Sequence, residues 1–289
     1  MRLAENINYI NNIASSPLLT DYAKQWCKDN WNYLNFIDTP LVNVNSSAKI
    51  VKGKKLGIET AILYMKPSDV ISIITLCAGA KLFGCEKECL ESSGQLGMST
   101  ADNAKIKRTI LFLLKEKEFY IELRKEIEKK QKKALKKGNT FVVRLNGTTD
   151  IDFSDFIKSM PDTNFYDYTK IYQRMKKNDL DNYHLTFSGS ANNSHTINIT
   201  ARSIKNGFNT VLAINTAETK GEYKLPNKLD LIPLINMDDT DARFLDPIGA
   251  IGVLKRKGSN KDQRAIDEQQ NNFFFNKQTL SELEWELRQ

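Results

Sequence analysis

Long apolar runs are missing from this chain of 289 residues. No stretch approaches the roughly 18 consecutive apolar residues that cross a bilayer. The opening residues 1–16 are too polar to form the apolar core of a secretory signal. These two absences argue against a membrane protein and predict a cytoplasmic one, in which cysteines normally stay reduced.

Histidine is also scarce, with only two residues. His184 lies in an apolar stretch and is interpreted as a core residue, whereas His195 is interpreted as a solvated loop residue that could act as a general acid or base. The chain has neither a Ser-His-Asp order nor a phosphate-binding glycine loop. Triad-type serine hydrolases and P-loop nucleotide hydrolases therefore lack support.

The chain has four cysteines, and three of them lie close together. Cys77, Cys85 and Cys89 belong to TLCAGAKLFGCEKECLESSG, directly after the strand-like LGIETAILYM. Clustered thiols in a reducing compartment suggest an iron–sulfur cluster or another metal. The spacing C-x7-C-x3-C leaves zinc and metal-free thiols open as alternatives. Structural zinc needs four ligands, and the candidates for the fourth are Cys27, His184 and His195.

Short apolar segments recur along the chain and alternate with helical or loop segments, which is typical of parallel α/β proteins. The predicted fold is therefore a (β/α) barrel, partial, with about six parallel strands. The longest predicted helix covers 101–137 and ends in lysines before Gly138. The strand-bearing segments are 56–66, 141–150, 164–170, 183–190, 210–218 and 231–241. A further strand or hairpin is predicted at 249–258.

Three regions are predicted along the chain. An N-terminal helical segment covers residues 1–50, and the barrel domain covers 51–258. A C-terminal tail, 259–289, begins with a polar run and ends in a helix.

Each predicted strand ends in polar residues, which would meet on one rim of a parallel sheet. Arg144 and Lys170 stand at strand ends, where they could bind phosphate or carboxylate. Asp238, Asp239 and Asp241 could bind a divalent cation, and the alternative is a solvated loop or a salt bridge to Arg243.

A three-cysteine loop after the first strand of a partial barrel resembles the radical S-adenosylmethionine (radical SAM) superfamily. The turn NGTTD after the second barrel strand adds to this likeness. The chain also resembles a group of phage proteins that carry the TLC-x7-C-x3-C loop, an RLNGTTD-like turn and an RFLDP-like segment. The superfamily usually has C-x3-C-x2-C, so the present spacing is a variant.

The resemblance implies a [4Fe–4S] cluster held by Cys77, Cys85 and Cys89, with S-adenosylmethionine bound at the remaining iron. It further implies two sets of residues around that molecule. Those near its methionine part are Asn146, Gly147 and Thr148, and those near its ribose are Ser188 and Asn215.

The net charge of +7 favours a polyanionic partner, a nucleotide or a nucleic acid. The leading hypothesis is an iron–sulfur protein of phage type, located in the host cytoplasm, whose chemistry would be that of radical SAM enzymes if it is catalytic. One alternative is a non-catalytic nucleic-acid-binding or host-interaction protein on a degenerate barrel. Another is a zinc-dependent hydrolase.

Overall fold

The apolar segments of the sequence pair as one nine-stranded sheet. The computed structural model describes residues 15–30, 40–44, 56–67, 70–86, 89, 98–215, 227–229, 232–255 and 273–289. Most of the predicted N-terminal segment and residues 259–272 of the predicted tail lie outside these ranges. No helix within them is long and apolar enough to cross a membrane.

The strands are β1 (Val42–Val44), β2 (Ile58–Leu63), β3 (Thr140–Arg144), β4 (Asn164–Thr169), β5 (Tyr183–Ser188), β6 (Thr210–Ile214), β7 (Lys228–Leu229), β8 (Ile232–Asn236) and β9 (Ile251–Lys255). Seven of the nine described strands fall on predicted segments. The other two were not predicted: β1 lies within residues 1–50, which were predicted to be helical, and β7 precedes the predicted segment 231–241. The helices are α1 (Asp21–Asp29), α2 (Ser99–Leu114), α3 (Glu116–Leu135), α4 (Ser154–Lys158), α5 (Tyr172–Lys177), α6 (Ser194–Lys205) and α7 (Lys277–Arg288). A 3-10 turn covers Arg243–Leu245.

Most of the sheet is parallel, which confirms the predicted class. Strands β2, β3, β4, β5, β6, β9 and β8 lie side by side in that order, and all run in one direction. The two short edge strands, β1 and β7, pair antiparallel with their neighbours. Among the described strands β1 and β7 do not meet, so the sheet is open and the predicted barrel does not close.

One face of the sheet carries apolar side chains that pack under helices. Phe119, Leu123 and Ile127 of α3 share a core with Val143 and Phe165 of the strands. Further along the same face, α6 and α7 pack over β6 and β9 in a second apolar cluster. Because side chains alternate along a strand, the intervening residues of β2 to β5 point to the opposite face.

The predicted helix over 101–137 is interrupted at Lys115, whose φ of −138° and ψ of 47° are not helical. The two halves pack on different neighbours, which accounts for the break. Ile106 and Ile110 of α2 contact the cluster around Trp26 of α1, whereas α3 packs on the sheet. One straight helix would not bury both apolar faces.

Candidate functional site

The cysteine loop, of which residues 75–86 and 89 are described, lies on the edge of the sheet where strands β2 to β6 end, here called the carboxyl edge. Loops that follow β3 and β5 hold it there. The Asp150 amide donates to the Leu76 carbonyl at 2.9 Å, and the Ser190 hydroxyl donates to the Phe83 carbonyl at 2.7 Å. The Asn192 side-chain amide donates to the Leu82 carbonyl at 3.0 Å. The loop is thus fixed over the ends of neighbouring parallel strands.

The three thiols of this loop are half-buried and affect one another electrostatically. Burial, together with the nearby Cys85, Asp150 and Cys89, raises the pKa of the Cys77 thiol to about 12, while Lys170 acts to lower it. Burial also raises the pKa of Cys85, again against the effect of Lys170. The Cys85 thiol donates to the Ala80 carbonyl at 3.7 Å. All three thiols therefore lie within electrostatic range of one lysine, Lys170.

Lys170, directly after β4, is the centre of this arrangement. Its ammonium donates to the carbonyl and to the hydroxyl of Ser188, each at 3.1 Å. It also lies 4.5 Å from the ring centroid of Phe273 and 5.3 Å from that of Phe83. Burial lowers the pKa of Lys170, and the thiols and Asp150 oppose this effect. The charge of Lys170 favours the thiolate forms, but burial outweighs it, so the pKa values of Cys77 and Cys85 remain raised.

The contact between the loop and Lys170 explains one glycine. A Cβ built on Gly79 would lie 2.8 Å from the Cβ of Lys170, which is closer than real side chains approach. Only glycine lets the cysteine loop come this close to the end of β4.

The described residues contain no group of three or more His, Cys, Asp or Glu side chains arranged to hold a metal ion. The thiols are thus neighbours that do not yet form a coordination shell. The available ligands are three cysteine thiols near the Lys170 ammonium. Three thiolates suit an iron–sulfur cluster better than structural zinc, which needs a fourth protein ligand.

None of the predicted fourth ligands accompanies the three thiols. Cys27 is buried in the separate cluster between α1 and α2, where burial raises its pKa to about 11. His184 lies against Phe244, with ring centroids 6.2 Å apart. His195 belongs to the first turn of α6 and is exposed, so the predicted loop position is wrong.

The predicted cation-binding aspartates have separate partners. Asp238 accepts from the Lys255 amide at 2.8 Å, and Asp239 accepts from the Asn236 side chain at 3.1 Å. Asp241 is buried and accepts from two tyrosine hydroxyls. The three carboxylates do not converge on one point, and the alternative ion pair of this loop joins Arg243 to Asp246.

The turn after β3 holds the residues predicted to lie near S-adenosylmethionine, and its side chains are engaged inside the protein. The Asn146 side chain donates to the Ile151 carbonyl and to Asp167, and its oxygen accepts from Thr149 and from the Ile151 amide. The Thr148 hydroxyl donates to the Met65 carbonyl. Asn146 and Thr148 therefore fix the shape of the turn.

Gly147 in this turn is required by close packing against β2. Its amide donates to the Leu63 carbonyl at 3.0 Å. A Cβ at this position would lie 2.6 Å from that carbonyl oxygen and 2.6 Å from the ring of Tyr64. The turn is consequently locked against the end of the neighbouring strand.

The other two predicted residues also lie at the carboxyl edge. Ser188, at the end of β5, receives the Lys170 ammonium. The Asn215 amide, after β6, donates to the Phe275 carbonyl at 2.8 Å, which ties the C-terminal segment to this edge. The structure thus brings Ser188 to the thiols through Lys170.

A buried polar network supports the carboxyl edge from below. Asp150 forms an ion pair with Arg174, whose other nitrogen donates to the Tyr183 hydroxyl at 2.7 Å. That hydroxyl donates to Asp167 at 3.0 Å, and Asp167 accepts from the Asn146 amide at 2.7 Å. Burial raises the pKa of Asp167 to about 6, against its hydrogen bond from Asn146 and the charge of Arg174.

Sequence reasoning placed Lys170 at a strand end but missed its position among the thiols. In the sequence, Lys170 is recognisable only as a single basic residue directly after the strand segment Asn164–Thr169. Phe83 within the cysteine loop and Phe273 from the tail had no signal, because each meets Lys170 only in the folded chain.

Comparison with protein-family models identifies the family of the chain. No curated protein and no solved structure matches it significantly. A model of the phage family Gene product 88 matches residues 40–271, a range that includes the cysteine loop and every strand of the sheet. The chain therefore belongs to the Gene product 88 family.

Proposed function

We propose that this protein is an iron–sulfur protein of the radical SAM type, in which Cys77, Cys85 and Cys89 hold a [4Fe–4S] cluster. The observation that supports this most is that three thiols of one loop interact electrostatically with one another and with Lys170 at the carboxyl edge of a parallel sheet. In parallel α/β folds, this edge is where ligands and reacting groups are bound.

The chain's own residues would prepare the thiols for such a cluster. Asp150, Ser190 and Asn192 hold the cysteine loop on the strand ends, so the thiols are gathered before any ligand arrives. The Lys170 ammonium would offset part of the negative charge of three thiolates. When bound, a reduced cluster with S-adenosylmethionine supplies a carbon-centred radical by cleavage of a carbon–sulfur bond.

The proposed S-adenosylmethionine residues divide into two roles. Asn146 and Thr148 use their side chains within the turn, so they would position its backbone for the ligand. Gly147 keeps that backbone against β2. Ser188 and Asn215 lie further along the same edge, where the ribose is proposed to bind.

The test is anaerobic reconstitution with iron and sulfide, followed by measurement of both elements and of the visible spectrum. Wild-type protein is expected to retain iron and acid-labile sulfide in equal amounts and to be brown. Cys85→Ala should lose both the colour and the sulfide. Cys27→Ala is the matched control and should keep them, because Cys27 lies in a separate apolar cluster.

Two results would reject the cluster. Colourless protein that retains zinc would favour the zinc-dependent hydrolase, and colourless protein without metal would favour a non-catalytic function. Equal retention of iron by wild-type protein and by Cys85→Ala would also reject the three-thiol assignment.

A second candidate function, nucleic-acid binding, is favoured by the last turns of α3. Residues 129–137 include six lysines and no acidic residue, namely Lys129, Lys130, Lys132, Lys133, Lys136 and Lys137. Five of them are exposed, and Lys130 is half-buried. The segment leads directly into β3, so it lies at the amino edge of the sheet, opposite the thiols. Such a patch suits a phosphate backbone.

Binding of a DNA or RNA duplex at several salt concentrations tests this second candidate. The paired change K132E/K133E should weaken binding and reduce its dependence on salt. The paired change K117E/K158E alters net charge equally at exposed sites elsewhere and should have a smaller effect. Equal effects of both pairs would reduce the candidate to a general influence of net charge.

A further inference from the structure

The face of the sheet away from α3 is polar in its centre. Arg144 of β3, Tyr166 and Tyr168 of β4, and His184 of β5 all point to this face, because each alternates with residues of the helix-covered core. Residues 237–246, which belong to the chain between β8 and β9, lie over them and are here called the covering segment. Its contacts with β4 and β5 come from the 3-10 turn and the residues before it.

Three side chains on this face receive one carboxylate. The Tyr166 hydroxyl donates to one oxygen of Asp241 at 2.8 Å, and the Tyr168 hydroxyl donates to the other at 3.3 Å. The Arg144 guanidinium lies 3.6 Å from the same carboxylate. Arg144 also stacks on Tyr168, 4.8 Å from its ring centroid. Two donors and a stacked guanidinium make a geometry that matches a planar carboxylate.

The receiving groups and the occupant differ in rigidity. Arg144, Tyr166 and Tyr168 belong to two neighbouring parallel strands, whereas Asp241 belongs to a loop that connects β8 to β9. The receiving side is therefore preorganised. The occupant is carried by a loop whose first residues, Met237 and Asp238, are hydrogen-bonded to β9, so any movement that frees Asp241 must begin after them.

Some buried polar atoms of the covering segment lack hydrogen-bond partners among the described residues when the segment is closed. Arg243 is buried, and within the described part of the chain its Nε and Nη1 find no hydrogen-bond acceptor. Nη1 has only an ion pair with Asp246 at 3.3 Å, and that carboxylate oxygen likewise lacks a hydrogen-bond donor there. Buried groups without such partners are costly. The remaining Arg243 nitrogen donates to the Thr240 carbonyl, so the closed position is held in part and is less stable than a fully paired one would be.

We propose that Arg144, Tyr166 and Tyr168 form a binding site for the carboxylate group of a small ligand, and that Asp241 occupies it when the ligand is absent. The site lies beside an apolar wall that includes Ile58 and Val142, so the ligand carries an apolar portion next to its carboxylate. Opening of the covering segment removes Asp241 and admits the ligand. No thiol takes part, so absence of an iron–sulfur cluster would leave this inference standing. Arg144 also donates to the carbonyls of Asn146 at 3.2 Å and Gly147 at 3.4 Å, so it contacts the proposed S-adenosylmethionine turn as well.

Hydrogen exchange of the full chain tests the proposal, with sodium acetate as the probe and sodium chloride at equal ionic strength as the control. Acetate, and not chloride, should increase exchange of amides in residues 237–246 of wild-type protein, because it competes with Asp241. In Asp241→Asn, which keeps the size of the side chain, acetate should bind about tenfold or more tightly than in wild type, since the site is more often open. The double variant R144M/D241N should lose acetate binding.

Equal exchange of residues 237–246 in acetate and in chloride overturns the proposal, and so does the absence of any gain of acetate binding in a folded Asp241→Asn. The wild-type measurement decides even if Asp241→Asn folds poorly. Retention of acetate binding in a folded R144M/D241N variant would also reject the site, because Arg144 supplies its positive charge.

Discussion

The two edges of the sheet are built from the same strands but carry different chemistry. At the carboxyl edge, loops from three strands and the cysteine loop contact one another, and ion pairs such as Arg174–Asp150 are buried. At the amino edge, the lysine-rich end of α3 is exposed, and Lys137 pairs with Glu59 in a half-exposed position. The comparison separates an edge that is preorganised for a ligand from an edge that presents charge to solvent.

The largest expected difference between the edges concerns their ion pairs. Arg174→Met leaves Asp150 buried without its counter-charge and should lower the free energy of unfolding by about 3 to 5 kcal/mol. Lys137→Met removes an ion pair whose lysine is half-exposed and should cost about 1 kcal/mol or less. Urea unfolding of both variants measures the contrast. Equal costs would show that the carboxyl edge is not built more tightly than the amino edge.

The pH dependence of stability sharpens the comparison at Asp167. Burial raises the folded pKa of this carboxyl from 3.8 to about 6, so the folded protein retains a proton that the unfolded chain has released. The stabilisation that this bound proton adds to the free energy of unfolding is full below about pH 4, and it is lost as the pH rises through about 6. The gap between 3.8 and about 6 corresponds to roughly 3 kcal/mol.

Unfolding of wild-type protein and of Asp167→Asn between pH 4 and pH 7 measures this contribution. The difference in free energy of unfolding between the two proteins should shift against the wild type as the pH rises. Parallel curves would mean that Asp167 keeps an ordinary pKa and that the network beneath the edge is less desolvated than its contacts indicate.

The smallest expected effect compares one glycine from each edge. Gly147→Ala places a Cβ 2.6 Å from the Leu63 carbonyl oxygen and should cost about 2 kcal/mol. Gly138→Ala meets no atom within 4 Å, and its φ of +74° should cost about 1 kcal/mol. Thermal unfolding of both variants checks the order. A larger loss for Gly138→Ala would contradict the close contact between the turn and β2.

Much of the fold could be predicted from the sequence because parallel strands bury both faces and leave continuous apolar runs. The predicted segments 141–150 and 183–190 therefore overlap the observed strands β3 and β5 and extend into the polar loops that follow them. The position of β9 between β6 and β8 could not be predicted, since strand order depends on pairing between distant segments. The break at Lys115 depends on which neighbours the two helices pack against, and no local pattern shows it.

The candidate site was predictable only in part for a similar reason. The thiols are close in sequence, so their gathering was visible as spacing. The contacts of Lys170 with Phe273 and of Asp241 with Tyr166 join residues more than 70 positions apart. Asn146 looked like a ligand-binding residue because polar turns after strands often are, but its hydrogen bonds serve the turn itself.

The most direct test of the central proposal is electron paramagnetic resonance of the anaerobically reconstituted and reduced protein, with and without S-adenosylmethionine. The account predicts the signal of a reduced [4Fe–4S] cluster that changes when S-adenosylmethionine is added, because three cysteines leave one iron open to it. Absence of a cluster signal, or a signal that S-adenosylmethionine leaves unchanged, would contradict the account.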